Sequence, residues 1–172
     1  MLKEEIIQPK EIGSKYGLNI PLVMRAQWKA LRGKKKWDLW VPIPYVKLSY
    51  TGSKQCHSLL DCAEIMQNVQ KSYQDKGLGD LPWNFAISSE GYVYQGRGWY
   101  TEPVIPEHLK WLKGNMLDIA FIGDYKFDDP TWLMQNLALE LIEYGVLTGI
   151  LKPNFRIIPY REKQTSQPGS TT

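Results

Sequence analysis

Histidine and cysteine are scarce in this chain, with two of each in 172 residues. His57 and His108 stand far apart, and neither has a partner motif beside it. Cys56 and Cys62 are separated by five residues rather than the two of a C-x-x-C zinc or redox pair. No group of residues therefore stands at the spacing of a metal site. Long apolar runs are missing too: nothing approaches the roughly 18 consecutive apolar residues of a membrane-spanning helix. The opening MLKEEIIQPKEIG is too charged for a signal peptide, so either the protein is cytosolic or this segment follows a removed signal or anchor. There is no Asn-x-Ser/Thr sequon, no internal repeat and no linker-like stretch. A strong charge of one sign is also lacking, since the formal net charge is +3. The one basic run, Arg32-Gly-Lys-Lys-Lys36, is short and reads as a solvated loop before a strand, not as a nucleic-acid surface.

What is present fits one soluble domain with a proper core: 43% hydrophobic and 23% charged residues, mean hydropathy −0.37. Seven Trp and ten Tyr supply rings either for that core or for a carbohydrate or peptide groove. The two cysteines read either as a short-loop disulfide or as two free core thiols, and spacing alone does not choose.

Pattern places the elements. Residues 1–22 are polar with scattered apolar positions and are expected to wrap the surface. A strand is expected over 45–50, out of the Pro-rich connection at Pro42 and Pro44. A helix is expected over 58–74, where Leu59, Cys62, Met66, Val69 and Tyr73 recur at steps of three and four and Gly77 and Gly79 end the run. Two strands, 83–87 and 92–95, flank the turn Ser88-Ser-Glu-Gly91 and predict a hairpin. A buried strand is expected over 116–122. A second helix follows, with Asp129 as N-cap, Pro130 at its first position, and Leu133, Leu137, Leu141 and Tyr144 as its buried stripe. A last strand is expected over 156–160, and the tail beyond Lys163 has a disordered composition. Strands alternating with helices predict an α/β layered fold, its sheet mixed because of the hairpin.

Six blocks in order then carry a resemblance. They are Arg25-Ala-Gln-Trp-Lys-Ala30, the Cys56–Cys62 pair, and Asn84-Phe with Glu90-Gly-Tyr-Val-Tyr-Gln-Gly-Arg-Gly-Trp99. Asp118-Ile-Ala-Phe-Ile-Gly-Asp124, Leu141-Ile-Glu-Tyr-Gly-Val146, and Thr165 with Pro168-Gly169 complete the set. Together they resemble the peptidoglycan recognition protein family, related to phage-type amidases, over residues 23–169. The resemblance implies a single α/β domain whose mostly parallel central sheet is flanked by helices, with a muropeptide groove. It implies that Cys56 and Cys62 form a disulfide, and hence an extracellular protein or the ectodomain of an anchored one. The family's third helix would follow Pro168-Gly169, and residues 170–172 are expected to be a disordered tail.

Amidases of this family hold zinc with two His and one Cys, leaving an open position for water. The corresponding positions here are Ser49, Tyr160 and Gln167. Hydroxyl, phenol and amide are weak ligands at neutral pH, so no metal and no cofactor is expected. The Tyr that would polarise the scissile carbonyl is Trp83. The resemblance thus implies a member that is not an enzyme. Ligand contacts carried over are Arg97, Trp83, Leu78, Gly77, Thr51 and Arg161. An Arg at position 97 implies a preference for diaminopimelate-type stem peptides, through a guanidinium–carboxylate pair. Other groove positions differ from the family: Ser72 and Ile105 stand where it has His, and Asp118 where it has Gly. Two functions follow. One is a receptor for bacterial peptidoglycan fragments; the other is an interaction module that pairs with another recognition protein or a signalling receptor. The rebuilt loop 102–114, with Val104, Ile105, Leu109, Trp111 and Leu112, supports the second if its apolar groups are exposed. A residual zinc amidase is the third and least supported reading. Neither nucleic acid nor a membrane span enters any of them.

Overall fold

Strand β6, Met116–Phe121, is buried at every residue and pairs in parallel on both sides, which is why its sequence MLDIAF shows an apolar run rather than alternation. The computed structural model describes residues 8–34 and 36–161. Around β6 lie β1 (Lys10–Ile12), β2 (Ile20–Val23), β3 (Ile43–Tyr50), β4 (Phe85–Ile87), β5 (Val93–Gln95) and β7 (Leu151–Ile158). They form one sheet in the order β1-β2-β5-β4-β6-β3-β7. β1 with β2 and β4 with β5 are antiparallel, and the other neighbours are parallel. Helix α1 (Leu59–Asp75) covers one face and helix α2 (Trp132–Leu147) the other. The mixed, mostly parallel α/β sheet expected from the sequence is present.

Strand periodicity divides the core. Val46, Leu117, Ile119 and Phe121 meet Met134, Leu137, Leu141 and Ile142 of α2. Ala86, Tyr94, Ala120 and Ile122 meet Cys62, Ala63, Ile65 and Met66 of α1. A small third cluster, Ile105, Leu109, Leu112 and Met116, covers the sheet where α1 does not reach.

Helix α1 starts as expected: the Ser58 hydroxyl accepts a bond from the Asp61 amide at 3.0 Å. Cys56 and Cys62 are disulfide-bonded across its first turn, their Cα atoms 5.0 Å apart. The hairpin is closed by Ser88 N–H to the Tyr92 carbonyl at 3.0 Å, with Gly91 at φ 92° in the left-handed region that its turn requires.

Four expectations change. Residues 10–23 do more than wrap the surface: β1 and β2 extend the sheet, and Ile20 and Val23 are fully buried. Strands of three and four residues are too short to show alternation. Helix α2 is capped by Thr131, whose hydroxyl accepts from the Met134 amide at 3.2 Å, and not by Asp129. The Asp129 carboxylate is taken by Tyr160 and Arg161 instead. The buried row of α2 is Met134, Leu137, Ala138, Leu141, Ile142 and Gly145, with Leu133 half-exposed. The last strand begins at Leu151, five residues earlier than expected. Its Pro153 sits where Pro is tolerated, on an edge strand.

Candidate functional site

From Tyr45 onward, beyond an irregularity after Ile43, odd-numbered residues of β3 face the α1 side of the sheet. Past Tyr45, which the third cluster covers, they are Lys47, Ser49 and, one residue beyond the strand, Thr51. Lys47 lies opposite Asp118 in the parallel register with β6. The Lys47 ammonium donates to Ser49 Oγ at 2.7 Å, and the Ser49 hydroxyl donates to Asp118 Oδ1 at 2.6 Å. Asp118 is buried, and desolvation pushes its carboxyl up to about 6, although Lys47 and the Ser49 hydroxyl pull the other way. Beneath it the Asn84 side-chain oxygen, Oδ1, accepts from the Asp118 backbone amide at 2.8 Å. The Asn84 side-chain amide donates to the Gly98 and Thr101 carbonyls, both at 2.7 Å. Asn84 thus ties the Gly-Arg-Gly turn to the sheet. Gly96 is required there, because a Cβ would lie 2.4 Å from the Trp83 carbonyl oxygen.

This trio forms the floor of a cleft of about 300 Å³. Tyr73 of α1, Pro82, Trp83, Val104, Pro106 and Tyr160 form its walls. Trp83 and Tyr73 meet edge to face, ring centroids 5.9 Å apart. Thr51 is at the rim, its hydroxyl accepting from the Gly123 amide at 3.0 Å. The Tyr160 hydroxyl donates to Asp129 at 2.6 Å, and burial followed by that carboxylate raises its pKa.

A second cleft of about 280 Å³ lies across Val104, lined by Gly77, Leu78, Arg97, Trp37, Lys110 and Lys113 among others. Arg97 donates to the carbonyls of Leu81, Glu102 and Leu78. Burial works against its charge, and Asp80 supports it.

The structure therefore divides the expected contact residues. Trp83 and Thr51 share the first cleft with Ser49 and Tyr160; Arg97, Gly77 and Leu78 line the second. Arg161 lines neither among the described residues: it pairs with Asp129 and donates to the Lys126 carbonyl. Gln167, Thr165, Pro168 and Gly169 lie outside the described residues. His57 and His108 are not among the described residues lining either cleft, and no group of three or more His, Cys, Asp or Glu suited to a metal occurs among the described residues. Trp99 packs in the core against Phe85, ring centroids 4.7 Å apart. In the loop 102–114, Ile105, Leu109 and Leu112 turn inward, whereas Trp111 is 67% exposed. Lys47, Asp118 as its partner, Tyr73, Lys110 and Lys113 were not singled out as site residues by the sequence reading. The available signal was an aspartate inside an apolar strand.

The fold and its clefts define a class: a single-domain α/β protein with a divided groove over one face of its sheet. No family model matches the chain. Peptidoglycan recognition protein 1 of Rattus norvegicus is 36% identical over 152 residues, spanning 86% of this chain and 81% of that protein. Peptidoglycan-recognition protein LB of Drosophila melanogaster is 30% identical over 151 residues, spanning 86% and 64%. Among solved structures, bumblebee PGRP-SA superposes with a TM-score of 0.77 at 29% identity, covering 88% of this chain and 90% of that one. The chain belongs to the peptidoglycan recognition protein family.

Proposed function

We propose that this chain is a non-catalytic recognition protein of innate immunity that binds bacterial muropeptide across the two clefts, with diaminopimelate-type stem peptides favoured. One observation carries the reading: Ser49 and Tyr160, the positions that would hold zinc, are hydroxyls already bonded to Asp118 and Asp129. A metal does not fit these donors. Tyr160 would have to ionise against burial and a neighbouring carboxylate, and the Lys47 ammonium 2.7 Å from Ser49 Oγ opposes a second cation there. The clefts themselves are open. Arg97 has five N–H groups, and three go to backbone carbonyls. The remaining pair, one on each terminal nitrogen, suits a bidentate carboxylate. The disulfide supports an extracellular protein or an anchored ectodomain.

Calorimetric titration with diaminopimelate-type and lysine-type muropeptides tests this. Binding of the first at micromolar strength, weakened at least about tenfold in Arg97→Ala, is the expected result. Stoichiometric zinc by elemental analysis would overturn the non-catalytic reading. The second reading, pairing with another recognition protein, is favoured by Trp37, Trp40 and Trp111, all more than 60% exposed around the loop 102–114. No heat with either muropeptide would favour it.

A further inference from the structure

We propose that Lys47 makes the floor of the first cleft an anion-binding subsite that takes a carboxylate of the bound ligand. The residue comes from β3, an interior strand paired on both sides, so its ammonium is presented by rigid strand rather than loop. One of its three N–H groups goes to Ser49 Oγ at 2.7 Å, while its approach to the Leu48 carbonyl is long, at 3.5 Å. Ser49 in turn donates to Asp118. The order of exposure matters: Asp118 is 3% and Ser49 7% exposed, whereas Lys47 is half-buried and lines the open space. A molecule entering the cleft meets the ammonium before the carboxylate. Lys47 is the one cationic side chain, and Asp118 the one carboxylate, among the described residues lining this cleft. Proline, tryptophan and tyrosine walls lower the local dielectric and strengthen an ion pair formed between them. A single ammonium, backed by the buried Asp118 carboxylate and flanked by uncharged walls, matches a monovalent carboxylate on a sugar or peptide better than a polyanion.

The inference deepens the proposed function and rests on it only for which molecule brings the carboxylate. The test uses amide and indole NMR shifts of the labelled protein, read at Lys47, Ser49, Asp118 and Trp83. The probes are sodium N-acetylmuramic acid and, at matched salt, neutral N-acetylglucosamine. The carboxylate sugar should give saturable shifts at these residues and bind about tenfold or more tightly than the neutral sugar, one charge-assisted hydrogen bond apart. Lys47→Met should abolish that preference and Lys47→Arg should keep most of it, with both spectra reporting an intact fold. Equal response to the two sugars, no response to either, or an unchanged preference in Lys47→Met each overturns the subsite. Muropeptides failing in calorimetry while N-acetylmuramic acid still shifts the cleft would remove the proposed function and leave the subsite standing.

Discussion

Asp118 is the residue on which the site's chemistry and the fold's stability meet. Its carboxyl sits near 6 in the folded protein, above the usual 3.8. Between those values the folded state holds the proton more tightly than the unfolded chain, so stability falls as pH rises from about 4 to 6. The loss is on the order of 3 kcal/mol for this fully buried group. Asp118→Asn keeps an acceptor for Ser49 and removes the charge. Thermal melts between pH 4 and 7 should show that slope flattened in the variant, with its melting temperature at pH 7 equal to or above the parent's. A parallel slope in both proteins would show that another group is responsible. Much of this residue's role was out of reach of the sequence. MLDIAFI marks a buried strand with a charge in it, but the register that brings Lys47 opposite depends on a pairing partner about 70 residues away. Arg97 was legible as a residue and illegible as an environment, because the carbonyls that hold it come from two separate segments, Leu78 and Leu81 in one and Glu102 in the other.

At the scale of elements, legibility followed how one-sided each element is. Helix α1 has a single apolar stripe and a Ser cap, and both its limits and its face were readable. Helix α2 is apolar nearly all round: Trp132, Leu133, Leu139 and Leu147 are exposed while Met134, Ala138 and Ile142 are buried. Periodicity cannot choose a face for such a helix, and the Asp-Pro pair misplaced its start. The cap assignment has a direct consequence. Thr131→Ala should destabilise the protein by about 1 kcal/mol in urea titration. Asp129→Ala should cost less than about half that, since the ion pair with Arg161 and the hydrogen bond from Tyr160 that it removes are solvent-exposed, the paired side chains being 39% and 65% exposed. The reverse order would return the cap to Asp129. The short strands β1 and β2 were invisible for a different reason: their pairing, not their composition, makes them strands.

For the whole molecule, the layered fold and the family were the most legible part, because six short blocks keep their order along the chain. The division of the groove was not, since Val104 separates the clefts from a loop whose apolar residues fold inward. The disulfide and the first cleft lie at opposite ends of α1: Cys62 is in its first turn and Tyr73 in its last. At 1.5 Å per residue these are about 16 Å apart along a rigid helix. The crosslink closes a short loop and acts mainly on the unfolded chain, so the cleft should not register its loss. Replacing both cysteines by alanine should therefore lower stability by about 2 to 3 kcal/mol and the melting temperature by roughly 5 to 10 °C. Below the new melting point, affinity for whichever muropeptide or carboxylate sugar the parent binds should stay within about twofold, because no side chain lining either cleft has changed. A stability loss accompanied by a proportional loss of affinity would mean that the first turn of α1 moves with the cleft wall. The crosslink would then belong to the binding site as well as to the fold.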